Sequence, residues 1–181
     1  MKIQPKLILL NGFAGVGKTT IAKRYIDDHP LTLSIEGDEI IVMFGQWLTH
    51  EEQAREYVFA LTKSMIDTHL RHGRTVLLPY LLTNAQHAEA FGNIAAKQTA
   101  HFYEIFLTVN KEDAIERLLA RGVWGEAGSP ALTEKDLPVI TTLYDTMIRE
   151  TGKRLQTTSI HPFRNDIDRT YNAFLEAIGE R

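Results

Sequence analysis

Leu7-Ile8-Leu9-Leu10-Asn11-Gly12-Phe13-Ala14-Gly15-Val16-Gly17-Lys18-Thr19-Thr20 is the stretch that decides the fold. Four apolar residues in a row, without polar alternation, suit a short strand buried on both faces. Gly12 to Thr19 then satisfies G-x-x-x-x-G-K-[ST] at every fixed position. Beyond it, Ile21, Ala22, Tyr25 and Ile26 recur at helical spacing, with Pro30 past the end. The pattern therefore joins a buried strand to an amphipathic helix, the placement an anion-binding loop requires.

Each residue type has a separate task in such a loop. Glycines let the backbone fold tightly, so that successive N–H groups point inward at an anion. The helix start adds about half a positive charge at the same place. Lys18 supplies a full charge suited to β- and γ-phosphates, the Thr19 hydroxyl suits Mg²⁺, and Thr20 is placed for the α-phosphate. A plain glycine turn carrying an exposed lysine explains less, because pattern and placement agree.

Working outward, Leu31 to Ile35 reads as a second strand. Thr49-His50-Glu51-Glu52 reads as a capping box opening a helix with Ala54, Tyr57, Val58, Leu61, Met65 and Leu70 on one face, stopped by Gly73. Thr75 to Leu78 is a third strand, ended at Pro79, which has no N–H for a ladder. A helix from Asn84 to Lys97, a strand from His101 to Val109, and an Asn110-capped helix from Lys111 to Arg121 follow. Gly122 ends that helix, and Val123 to Leu132, rich in Gly, Ser and Pro, reads as a loop. Thr133 opens a helix to Glu150 with Pro138 perturbing its first turns, Arg154 to Ile160 is a weaker fifth strand, and Asp166 to Ile178 a closing helix. Five strands alternating with helices imply one α/β domain, a three-layer α/β/α sandwich around a parallel sheet.

A triphosphate site calls for acidic residues. The third strand ends in Leu77-Leu78-Pro79-Tyr80 without one, whereas the second is followed at once by Glu36-Gly37-Asp38-Glu39. Strand ends in such sheets face the ligand crevice. Asp38 is the first choice to hold and late in the transfer deprotonate a substrate hydroxyl, with Glu36 beside it; an acidic helix cap is the plainer alternative. Metal binding falls on Thr19, Glu36 and Asp38. Arg117 and Arg121 lie four apart on one helical face before the glycine-containing loop. They suit either a phosphate clamp that closes with the loop or simple complementation of the helix dipole.

The absence of cysteine excludes a disulfide framework, thiolate metal sites and a cysteine nucleophile. Twenty basic and twenty-three acidic residues leave a net charge of −3, which argues against a broad nucleic-acid surface. No apolar run is long enough to span a bilayer, and the N-terminus lacks a secretory apolar stretch, so a cytoplasmic protein without a membrane partner is expected. Asn110-Lys111-Glu112-Asp113 matches a guanine-reading element of GTPases, but the chain contains no Asp-x-x-Gly, and helix capping explains Asn110 and Asp113 better. The seven histidines show no metalloprotease spacing. Trp47 and Trp124 could each cover an apolar substrate face, although core packing is the plainer role for Trp47. His50, Glu51, Arg55 and Tyr57 fall where an acceptor pocket should lie, and nothing in the pattern chooses among them.

Gly12 to Thr19, Glu36-Gly37-Asp38 after the second strand, and Glu116-Arg117…Arg121 before a lid-like loop together resemble the small P-loop kinases. That group includes nucleoside-monophosphate, shikimate and gluconate kinases, chloramphenicol phosphotransferase and zeta-toxin kinases. The resemblance implies strand order 2-3-1-4-5, a lid at about 122–132, and ATP with Mg²⁺ as cofactors. It implies that Arg117 stacks on adenine, that Arg121 binds phosphate and stabilises developing charge, and that Asp38 meets the hydroxyl of a small-molecule acceptor. The loop at His161 to Asn165 would approach adenine, with Arg164 a contact. The adenylate-type Asp-Gly-x-Pro-Arg element after the third strand is replaced here by Pro79-Tyr80-Leu81-Leu82. The expected function is γ-phosphoryl transfer from ATP to a hydroxyl. Its rivals are an ATP-binding assembly module without chemistry, a polynucleotide 5′-hydroxyl kinase and, more remotely, a GTPase switch.

Overall fold

The computed structural model describes residues 4–164 and 166–180; Asn165, in the loop assigned to adenine, lies outside the described residues. The strands are β1 (Lys6–Gly12), β2 (Leu33–Ser34), β3 (Val76–Tyr80), β4 (His101–Leu107) and β5 (Thr158–Ile160). They form one parallel sheet in the order β2-β3-β1-β4-β5, as the resemblance implied. The helices are α1 (Lys18–Asp28), α2 (Gly37–Ile41), α3 (Glu51–Arg71), α4 (Ala85–Lys97), α5 (Lys111–Arg121), α6 (Leu137–Gly152) and α7 (Ile167–Ala177).

The apolar run of β1 is wholly buried, and the period of two divides it between two cores. Leu7 and Leu9 face the cluster built with α3 and α4; Ile8 and Leu10 face the one built with α1 and α7. A third cluster, Phe13 with Phe106, Leu118, Ile140, Tyr144 and Met147, lies where α5 and α6 pack near the phosphate loop. The strand-to-helix loops thus all lie at the carboxyl ends of the strands. Among the described residues, no helix is long and apolar enough to cross a membrane.

Several expectations need correction. β3 continues through Pro79 to Tyr80, with Pro79 in register with Leu10. Thr75 and Leu77 carbonyls receive Leu33 and Ile35 N–H, so odd-numbered main-chain groups of this strand point toward β2. β2 has left the sheet by Pro79, and the missing N–H faces no partner strand. β2 and β5 are shorter than expected, two and three residues. Thr49 does not cap α3: its hydroxyl donates to Gln46 O (2.9 Å) within a short 3-10 turn, and His50 occupies the cap position. The buried stripe of α3 is Ala54, Val58, Thr62, Ile66 and Leu70, while Tyr57 and Leu61 face outward. Pro138 does not perturb a helix interior, because the Thr133–Asp136 capping box closes a separate 3-10 turn and Pro138 sits in the first turn of α6, where its missing N–H is no loss. The cap of α5 is as read, Asn110 accepting from Asp113 N–H, and Asn84 caps α4 by accepting from Gln86 N–H.

Candidate active site

The phosphate loop runs from the end of β1 into α1. Gly15 and Gly17 adopt left-handed backbone (φ 75° and 103°), which turns the loop's N–H groups toward its concave side. Phe13 belongs to the loop through its main chain only; its ring is buried against Tyr144, edge-on at 5.4 Å between centroids. Lys18 folds back across the loop, donating to Gly12 O (2.8 Å) and Phe13 O (2.9 Å). Burial pulls its ammonium down to about 8, against the opposing pull of Asp38 and Glu36, and Arg121 adds a like-charge push in the same direction as burial. Four of the residues singled out in the sequence therefore converge on one point: Lys18, Glu36, Asp38 and Arg121.

Glu36 and Asp38 arrive from the turn between β2 and α2. The Thr19 hydroxyl donates to Glu36 Oε2 at 3.1 Å, so one hydroxyl and one carboxylate stand together beside the loop. Among the described residues, no cluster of three or more acidic or histidine side chains forms a cage. A hydroxyl and one or two carboxylates with phosphate oxygens completing the shell is the donor set Mg²⁺ takes in nucleotide sites, so these residues fit it. Asp38 keeps an exposed flank, yet partial desolvation and the Glu126 carboxylate hold its carboxyl above the ordinary aspartate range, opposed by Lys18 and Arg55.

The lid accounts for Glu126. Leu132 N–H donates to Gly122 O (2.8 Å) and Val123 pairs with Ala131, closing the loop's neck. Arg121 Nε donates to Val123 O (2.9 Å), which ties its guanidinium to the lid. Trp124 packs on the third cluster. Gly125 lies directly over Asp38: a Cβ there would collide with Asp38 Oδ2 and push the carboxylate aside. Glu126, its side chain 8% exposed, accepts from Arg55 of α3 at 2.9 Å, and Arg55 also holds Glu51. Of the four residues the sequence left unranked, Arg55 thus reaches the lid and Glu51 braces Arg55, while Tyr57 points outward beside Phe44. Trp47 is core, 8% exposed.

Tyr80, which stands where the adenylate-type element is missing, closes the remaining side. Its hydroxyl lies 3.2 Å from His87 Nδ1, and burial pushes the phenol up to about 12, with Arg55 and Asp38 the charges it senses. On the opposite flank, a cavity of about 600 Å³ is lined by Gly17, Ile21, Arg117, Phe163, Arg164 and Thr170. The Arg117 stem rests on the loop, its Cβ 3.6 Å from where a Gly15 Cβ would be. Arg117 and Arg164 therefore border one cavity next to the phosphate loop. The guanine-like element is committed elsewhere: Asn110 caps α5, and Lys111 pairs with Asp145 at 2.7 Å.

Removing the Glu126 charge should loosen the lid. A pair half open to solvent is worth up to about 1 kcal/mol, so Glu126→Gln should shift the open-to-closed ratio about fivefold. With Trp47 buried, acrylamide quenching of Trp124 reads that shift; the Arg55→Glu/Glu126→Arg swap should restore protection.

The sequence pattern of the AAA domain family matches residues 7–135. No curated protein matches the chain in sequence. Solved structures do share the fold. The crystal structure of APE1195 superposes with a TM-score of 0.64 at 20% identity, covering 97% of this chain and 95% of its own. The Deinococcus radiodurans tunicamycin resistance protein gives 0.64 at 16%, covering 99% and 98%. A gluconokinase from Sinorhizobium meliloti 1021 gives 0.61 at 15%, covering 97% and 94%. At these identities the likeness speaks for architecture alone, and the family match speaks for the loop and what surrounds it. The chain belongs to the AAA domain family.

Proposed function

We propose that the protein transfers the γ-phosphoryl group of ATP to a hydroxyl of a small molecule. The convergence of Lys18, Arg121 and Asp38 at the mouth of the phosphate loop carries this reading. Lys18 and the loop amides hold the β- and γ-phosphates, giving up the Gly12 and Phe13 carbonyls when the anion arrives. Thr19 and Glu36 hold Mg²⁺, which when bound neutralises phosphate charge. Arg117 stacks on the base, with Arg164 across the same cavity. Arg121 meets the charge that develops on the transferred group.

Asp38 receives the acceptor. Its oxygen orients the hydroxyl in line with the phosphorus and takes the proton late, and its raised proton affinity suits that task better than an ordinary aspartate. The acceptor lies between Asp38, Arg55, Tyr80 and the lid, so it enters by displacing Gly125 from Asp38. That enclosure favours a small molecule over a polymer.

A panel of hydroxyl metabolites assayed for ATP consumption tests the reading and names the acceptor. ADP formation that rises with one compound, with phosphate recovered on that compound, is the expected result. Silence across the panel, with ATP still bound, would favour a nucleotide-driven assembly module or an acceptor such as a polynucleotide 5′-hydroxyl.

A further inference from the structure

Asn11 is the one polar residue in the buried run of β1 and is 0% exposed. Strand interiors disfavour asparagine, so its presence beside Leu and Ile asks for a reason. Its side chain is almost fully used. Oδ1 accepts from Gly12 N–H at 2.8 Å and from Leu82 N–H at 2.9 Å, and Nδ2 donates to Thr151 Oγ1 at 3.1 Å. Both carbonyl lone pairs and one amide hydrogen are thereby committed, across three segments far apart in sequence.

Those segments are the ones the transfer needs in register. Gly12 opens the phosphate loop, and its carbonyl accepts from Lys18 Nζ. Its N–H is fixed by Asn11, so both polar groups of this peptide position are held. Sterics pin it as well: a Cβ on Gly12 would lie 2.9 Å from both Leu107 O and Val16 Cγ1. Leu82, itself buried, ends the Tyr80-Leu81-Leu82 segment, so its N–H anchors the wall that carries Tyr80. Thr151 lies in the last turn of α6, the helix that follows the lid.

We propose that Asn11 is a positioning residue for phosphoryl transfer, its one amide setting the phosphate loop, the Tyr80 wall and the end of α6 at fixed separations. It touches neither nucleotide nor acceptor. It acts through Gly12 and Lys18 on the donor side and through Leu82 on the acceptor side. The role rests on the nucleotide-binding reading of the loop. Filling a buried polar position is a lesser role that would alter stability without altering the loop.

Asn11→Leu keeps the branched skeleton, in a somewhat larger side chain, and removes all three bonds; Thr151→Val removes only the third. Leu70→Ala, a core change at the end of α3 in the cluster on the other face of the sheet, supplies a destabilised control. ADP affinity is read by calorimetry and stability by thermal melting. Asn11→Leu should weaken ADP about tenfold or more, Thr151→Val about threefold, and Leu70→Ala not at all. Wild-type ADP affinity in Asn11→Leu, whatever its melting temperature, overturns the proposal. Should Asn11→Leu not fold, Thr151→Val and amide hydrogen exchange in the wild-type protein decide. Slow exchange at Gly12 and Leu82 with weakened ADP in Thr151→Val supports the role, and fast exchange at both amides refutes it. A wild-type protein that fails to bind ADP sinks the nucleotide reading and the positioning role with it, whereas a wild type that binds and an Asn11→Leu that binds equally sinks the positioning role alone.

Discussion

Lys18→Ala is expected to weaken Mg·ATP and ADP binding by about 10- to 100-fold. The ammonium is held at the loop by two carbonyls and turned toward Asp38, Glu36 and Arg121, so it is pre-placed for an anion and loses little freedom on binding one. A hydrogen bond to a charged group contributes about 1.5–3 kcal/mol, which sets that range. Lys18 is the strongest single contact the loop offers, because the remaining donors are neutral amides. The fold should not suffer, since burial already works against the charged ammonium, as its lowered proton affinity records. Calorimetry against ADP, with melting curves alongside, checks both halves. Wild-type affinity in the variant would remove the loop's role.

Asp38→Asn is expected to leave nucleotide affinity within about threefold while turnover falls about 10²- to 10⁴-fold, the usual range for a positioned proton acceptor. Asparagine preserves the shape beneath Gly125, where space is already exhausted at Oδ2, so the lid should still dock. It cannot take a proton. It also removes one of the charges that hold Lys18 protonated, and any small rise in nucleotide affinity would come from lost repulsion with phosphate. Steady-state rates on the acceptor found by the panel, with ADP binding measured in parallel, separate these effects. Turnover equal to wild type would take Asp38 out of the chemistry.

What was legible in the sequence was whatever local rules govern. The β1 run, the phosphate loop, the cap of α5 and the strand alternation depend on neighbours within a few residues, and they stand as read. Pro79 misled because an edge rule was applied to a strand whose neighbour stops early, and strand length is a tertiary property. Thr49 misled because a capping box and a 3-10 turn use the same residues, and the choice depends on how Trp47 packs beneath them. At the site, Glu36, Asp38, Arg117 and Arg121 carried signals in their spacing from strand and helix ends. Glu126, Tyr80 and Asn11 carried none. Glu126 matters because Arg55 lies 71 positions away in sequence, and Asn11 because Leu82 and Thr151 fold back onto it.

The enclosure of the acceptor side follows from the same geometry. Gly125 on Asp38 and Glu126 on Arg55 join the lid to α2 and α3 before any ligand arrives, so on the proposed reading an acceptor reaches Asp38 only by moving the lid. Neither Gly125 nor Glu126 lines the cavity bordered by Arg117 and Arg164, and of the nucleotide residues proposed above Arg121 is the one tied to the lid. Nucleotide binding should therefore respond less to Glu126→Gln than acceptor turnover does.

The most direct measurement incubates wild-type and Asp38→Asn protein with γ-labelled ATP, Mg²⁺ and the hydroxyl-metabolite panel, and follows where the label goes. Label on a single acceptor in the wild type, lost in Asp38→Asn while ADP binding persists, is the predicted result. Label appearing only as free phosphate, or nowhere, across the whole panel would contradict hydroxyl-directed transfer to a small molecule.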